Sequence, residues 1–433
     1  MGKNVYQIHA RSKPLFSYDR GVDDPKQNNF NMFGRGPSGT RLEIRGDCED
    51  FLFKVQGNTS GYSAPHARAS EFTFRDFSIN GHGHNVDAFQ FRCADQSVLD
   101  NIKVFDIYGY GLYGRQFWDS TVNARFLRCG DNLRIPYVDQ TEPFGAGQKI
   151  VGEDSKTTAW LMHGADKQKG FLHITHVDGA FIDGESIVGA DGGQATANIP
   201  EGIVGSEKAV VDFDYEFGER LWDSACNQIK FPNTSKIEGY RWRAIHLGRG
   251  SRQNNFSAKI HLFLGRHYGG PAVYIDGGIS NHFTDHMIAH TKGERTVVID
   301  GSNYIAAGNR FIGVSAGAGI HLKSHCRRNS ITCCHFDNGK QSCVLVAGGQ
   351  DNMIRNNIPS GSGPEVEVTA SSHDFALLDR VIPERVHIGE TIPAHGWSPA
   401  RLNVYSNQNL TVRFESERKK GAIEVLGNAV TSG

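Results

Sequence analysis

The sequence predicts an all-β chain folded as a right-handed parallel β-helix with a small C-terminal β region, and three observations lead there. A short apolar pattern returns through the second half: AIHL at 244–247, AVYI at 272–275, TVVI at 296–299, GIHL at 319–322, CVLV at 343–346 and EVEV at 365–368. Counted at the second residue of each, the steps are 28, 24, 23, 24 and 22 residues. An asparagine-led pattern follows the first five segments, at Asn254-Asn255-Phe256, Asn281-His282-Phe283, Asn309-Arg310-Phe311, Asn329-Ser330-Ile331 and Asn352-Met353-Ile354, with steps of 27, 28, 20 and 23. Glycine is abundant, 51 of 433 residues and without a collagen-like period, as tight turns between many short strands require.

Each apolar segment is only four residues long, too short to stand alone as a strand pair. Alternation sends Val273 and Ile275 to one face and Tyr274 to the other. Stacking like on like at about 4.8 Å buries one continuous apolar column and satisfies the backbone of every coil except the last. Two interleaved patterns of similar period imply at least two strands per coil. A β-propeller is the architectural alternative, but its repeats are longer and its strands antiparallel. The right-handed sense is the rule for crossovers between parallel strands.

Earlier coils are less regular. FTFRDFSING (72–81), SVLDNIKVFDI (97–107) and STVNARF (120–126) align Phe77, Ile102 and Ala124 with steps of 25 and 22. Residues 131–170 and 218–240 interrupt the period and are expected to be loops or excursions. The helix is assigned to 1–374. The remainder, 375–433, carries two X-Pro turns (Ile382-Pro383 and Ile392-Pro393) and reads as a few antiparallel strands capping or oligomerising the open end.

Bulk properties narrow the function. With 46 basic and 47 acidic residues the formal charge is −1, which gives no electrostatic footprint for nucleic acid. The start, MGKNVYQIHARSKPLF, has no signal-peptide core, and no run is apolar enough for membrane insertion. Eight cysteines lack framework spacing, which suits thiols kept reduced in a cytoplasm and release by lysis. His325, Cys326, Cys333, Cys334 and His335 lie close together, yet CxxC spacing is missing and the repeat puts Cys333 or Cys334 in the core, so no metal site is expected. No cofactor motif is present.

On its stacked φxφ strands, its asparagines at 254, 281, 309, 329 and 352, and the entry segment GRGPSGTRLEI (34–44), the chain resembles the pectate-lyase-like β-helix superfamily, most of all the bacteriophage tailspike depolymerases. The resemblance spans about residues 1–370. It implies hydrogen-bonded asparagine ladders, a homotrimer, a place on the virion tail among other phage tail proteins, and cleavage of a bacterial surface polysaccharide by hydrolysis or β-elimination. The chain departs from the tailspikes in showing no evident N-terminal virion-binding domain. An endo-acting glycosidase is the leading expectation. The alternatives are a non-catalytic glycan-binding adhesin or structural tail protein, and a non-phage polysaccharide lyase, epimerase or fructotransferase. Fold alone does not choose among them.

The register nominates the chemistry. With Ile245, Val273, Val297 and Ile320 inside, one outward column reads His246, Tyr274, Val298, His321, and the next reads Gly248, Asp276, Asp300, Lys323. Asp276 and Asp300 then sit on neighbouring rungs, near the separation of about 5–5.5 Å that a retaining glycosidase uses. Both also precede glycine, as turn aspartates do. In VVDFDYEFGERLWD (210–223), Asp212, Asp214 and Glu216 share one strand face, and like charges so aligned are costly in a purely structural strand. As the rung before AIHL, this segment continues the two columns. Trp222, Trp242, Arg243, His246 and Tyr274 are the expected sugar contacts. A lyase would instead draw on His246 beside Tyr274 and Arg243, or on Arg266-His267-Tyr268, for a base and a carboxylate neutraliser.

Overall fold

The computed structural model describes residues 4–9, 14–19, 29–57 apart from 49, 68–130 and 133–200 apart from 162–163 and 166–167. Beyond these it describes strand and turn segments between 208 and 369 and six strands between 375 and 432. No helix occurs among the described residues, and the chain is a parallel β-helix.

The register follows the repeat. Ile245 pairs with Val273, Val273 with Val297, Val297 with Ile320, Ile320 with Val344, and Val344 with Val366, all in parallel. These residues are fully buried. The second pattern stacks in the same way, Phe256 on Phe283 on Phe311, with ring centroids 4.7 Å apart in both steps and planes within 5° and 1°. That spacing is the rung repeat itself. The alignment of Ile102 with Ala124 also holds.

A ladder of buried asparagines runs through the core. Asn227 Nδ2 donates to Asn254 Oδ1 at 2.9 Å, Asn254 to Asn281 at 3.0 Å, and Asn281 to Asn309 at 3.1 Å. The series continues to Asn329 and Asn352, each step 3.0 Å. Each amide also donates to a backbone carbonyl of the preceding turn, such as Asn281 to Ser251 O. All six side chains are buried and fully engaged, which is what makes a polar column tolerable beside a phenylalanine stack.

Three sequence expectations are corrected. The excursion beginning at 131 is a folded unit running to 197. Six strands, in spatial order Leu133–Glu142, Gly170–Asp178, Thr158–Leu161, Lys149–Gly152, Ser186–Gly189 and Gln194–Ala197, pair antiparallel around a closed barrel. It has its own core, with Ile135, Ile150, Leu172, Ile174 and Ile187 fully buried. Within 218–240 the described residues belong to the helix: Gln228–Lys230 and Ile237–Tyr240 are rungs, paired to Thr121–Cys129 on one side and to the next coil on the other. The tail strands pair in parallel, Val366–Thr369 with Arg385–Gly389 and that strand with Leu410–Phe414, so they prolong the stack instead of forming an antiparallel cap.

Candidate functional site

One face of the helix gathers the residues the register nominated. Val211–Asp214 lies between Leu112–Trp118 and Ile245–Leu247, with Tyr113 opposite Asp212 and Asp212 opposite His246. The column continues from His246 to Tyr274, Val298 and His321. Phe213, Ile245 and Ile275, which alternate with these residues, are buried in the core and fix the strands from behind.

Asp212 is the centre of the cluster and only 4% exposed. Arg115 Nη1 lies 2.7 Å from its Oδ1, and His246 Nδ1 lies 3.2 Å from its Oδ2. Burial by itself would raise this carboxyl's pKa, but the Arg115 charge and the His246 hydrogen bond outweigh it and hold the group down at about 2. Asp212 is therefore an anion across the working pH range. With Nδ1 engaged by the carboxylate, the imidazole has its orientation fixed.

One rung on, the Arg243 guanidinium lies 3.7 Å from the centroid of the Tyr274 ring. The Tyr274 and His246 rings are 6.0 Å apart and 26° from parallel. Tyr274 donates to Asp300 Oδ2 at 2.9 Å, and Lys323 Nζ is 3.2 Å from the same oxygen. Burial tends to raise the Asp300 pKa, yet the hydrogen bonds from Ser302, Tyr274 and Lys323 bring it below the ordinary value. Burial, aided by Lys323 and Arg295, pushes His321 down to about 4, so it is neutral near pH 7.

Asp276 and Asp300 pair in register on adjacent rungs, and Gly277 takes a φ of +84° in the turn that follows. Asp300 also serves its turn, accepting the Ser302 N–H at 2.9 Å. Asp214 accepts the Gly250 N–H at 3.1 Å, and its carboxylate fills the space beside Gly248. Glu216, Trp222, Trp242, Arg266, His267 and Tyr268 lie outside the described residues. Cys326 and Cys334 are buried in the stacked core. Sequence reasoning missed Arg115. The available signal was LYGRQF, whose alternation matches VVDFD once the inserted barrel is removed from the count.

No protein-family model matches the chain. No curated protein matches it either. Among solved structures the chain is similar to the Gp54 tailspike of Acinetobacter baumannii bacteriophage AP22 in complex with A. baumannii capsular saccharide, at 10% identity over 90% of this chain and 71% of that one, with a TM-score of 0.20.

Proposed function

We propose that the chain binds a bacterial surface polysaccharide along this face and cleaves it internally, with His246 as the proton-exchanging group. The observation that carries the reading is the Asp212–His246 pair: a buried carboxylate, fixed by Arg115, orients an imidazole in an outward column between cationic and aromatic side chains. A buried anion aimed at a histidine is the arrangement that general acid–base catalysis needs. Asp212 and Asp300 are both held ionised, so neither supplies the protonated carboxyl of a two-acid glycosidase. This favours β-elimination on an acidic saccharide. Arg243 neutralises the uronate carboxylate, and His246 Nε2 takes the proton from the adjacent ring carbon. The freed electron pair becomes the ring double bond as the glycosidic C–O bond breaks, and the leaving oxygen takes a proton from Tyr274 or water.

Retaining hydrolysis is the second reading, supported by Asp276 and Asp300 facing one another across one rung. Capsular polysaccharide incubated with the protein and then sized separates the cases. Shorter fragments with new ultraviolet-absorbing ends support elimination, and fragments without them support hydrolysis. Binding with no change in size rejects cleavage and leaves an adhesin. His246→Gln should lower the rate by at least about 10²-fold while leaving the melting temperature unchanged. Full activity in that variant would remove His246 from the mechanism.

A further inference from the structure

The column does not start at Asp212. Toward the N-terminus it reads Tyr113, Gln90 and Lys54, paired rung by rung in parallel. Tyr113 lies in a cluster on the outer side of the sheet: its ring centroid is 5.0 Å from Tyr110 and 5.5 Å from Phe51, and Phe51 and Tyr110 stack 14° from parallel. The Arg115 guanidinium lies 3.9 Å from the Tyr113 centroid, much as Arg243 lies over Tyr274. An arginine-backed tyrosine thus flanks the Asp212–His246 pair on each side. Tyr113 is two rungs before His246, about 10 Å, and Tyr274 is one rung after it.

Two further observations point to a ligand on the Tyr113 side. Gln90, 8% exposed and adjacent to Tyr113 in the column, keeps its Oε1 shielded from water with no hydrogen-bond donor among the described residues. Such an acceptor costs roughly 1–3 kcal/mol unless something donates to it. Lys208 pairs with Asp87 at 2.8 Å and lies 5.1 Å from the Tyr110 centroid, so the residues leading into Val211–Asp214 pack on the same aromatic cluster. A pyranose ring has an apolar C–H face and a rim of hydroxyls, which suits a tyrosine platform next to an unused amide oxygen.

We propose that Tyr113, supported by Phe51 and Tyr110 and with Gln90 as hydrogen-bond acceptor, is a second sugar-ring platform that grips the polysaccharide on the N-terminal side of the cleavage point. The proposal rests on the reading of this face as a polysaccharide site and adds to it a binding residue remote from the bond cleaved.

The test uses the full chain carrying His246→Gln, so that polymer is bound and not consumed, with capsular polysaccharide as the probe in affinity electrophoresis. Adding Tyr113→Leu, which keeps apolar volume and removes the ring, should weaken binding at least tenfold, whereas Tyr113→Phe should stay within about threefold. In the otherwise native enzyme Tyr113→Leu should raise KM about tenfold and leave kcat within twofold. Hydroxyl-radical footprinting of the unsubstituted protein needs no variant to fold, and it should show Tyr113 and Tyr110 protected by polymer. Undiminished binding by Tyr113→Leu, or no protection of either tyrosine while polymer is bound, would overturn the platform and leave the cleavage site standing. Failure of the unsubstituted chain to bind any capsular polysaccharide would remove both.

Discussion

Replacing Asp212 by asparagine keeps the size of the side chain and removes its charge, and the structure turns this into a stability experiment as well as an activity one. Arg115, only 13% exposed at its side chain, loses its counter-ion 2.7 Å away. Removing one member of a buried pair costs about 3–5 kcal/mol, because the other charge stays in place without compensation. A second route gives a compatible figure. The Asp212 pKa falls from 3.8 to about 2 on folding, and at 1.36 kcal/mol per unit the ionised form contributes about 2.5 kcal/mol. The folded pKa is the lower one, so this stability is fully present above about pH 5 and is lost as pH falls toward 2. By pH 3 it should be down to about half. Urea unfolding midpoints of the native chain, Asp212→Asn, Arg115→Met and the double variant, measured at pH 7 and pH 3, test the argument. The single variants should each lose several kcal/mol at pH 7, the double variant should lose less than their sum, and the gap between native and Asp212→Asn should narrow at pH 3. An Asp212→Asn protein within about 0.5 kcal/mol of native at pH 7, or a gap that does not change with pH, would refute the pairing.

Other parts of the fold make equally concrete predictions. Asn281→Ala leaves the buried Asn254 N–H without its acceptor and removes one bond each from the Asn254 amide and the Ser251 carbonyl, which should cost about 3 kcal/mol, whereas Asn255→Ala, on the outer face, should stay within about 0.5 kcal/mol. Equal urea midpoints for the two would show that the ladder is not what stabilises these turns. Ile299→Asp places an unpaired carboxylate in a fully buried position and should abolish soluble folded protein, as read by circular dichroism and sedimentation. We propose that the chain assembles as a homotrimer to which 375–433 contributes. Light scattering should then give three times 47.7 kDa, and deletion of 375–433 should weaken assembly. A full-length chain that stays monomeric at high concentration would contradict it.

The coils from 244 onward were legible because their information is local. A four-residue alternation fixes which side chains point inward, and the spacing between successive segments fixes the pairing, so Val273, Val297 and Ile320 could be stacked from the sequence alone. The asparagines from 254 to 352 share that spacing, and the resemblance to β-helix proteins is what implied their hydrogen-bonded ladder; its first member, Asn227, lies 27 residues before Asn254 in a stretch without a strong apolar segment. Arg115 was hidden by the insertion: its partner Asp212 is 97 residues away, and the alternation of LYGRQF lines up with VVDFD only once the barrel between them is removed. Direction was lost in the tail for a different reason: alternation in LNVY or LTVRF is the same whether the strand runs parallel or antiparallel. Turn prolines then weighed too heavily toward hairpins.

That 97-residue gap also orders events during synthesis. When the ribosome has finished Leu112–Trp118, the helix ends in an open strand edge whose next rung has not yet been made. Through the whole of 133–197 that edge has no neighbour from its own chain, while Arg115 waits without its anion. Exposed edges recruit strands from other chains. The inserted barrel closes on its own core through antiparallel contacts made entirely within 133–197, so it can form before the next rung exists. Slowing its closure, for instance by Ile187→Ala in its core, should therefore show up first as aggregation of nascent chains, before any loss appears in the finished protein.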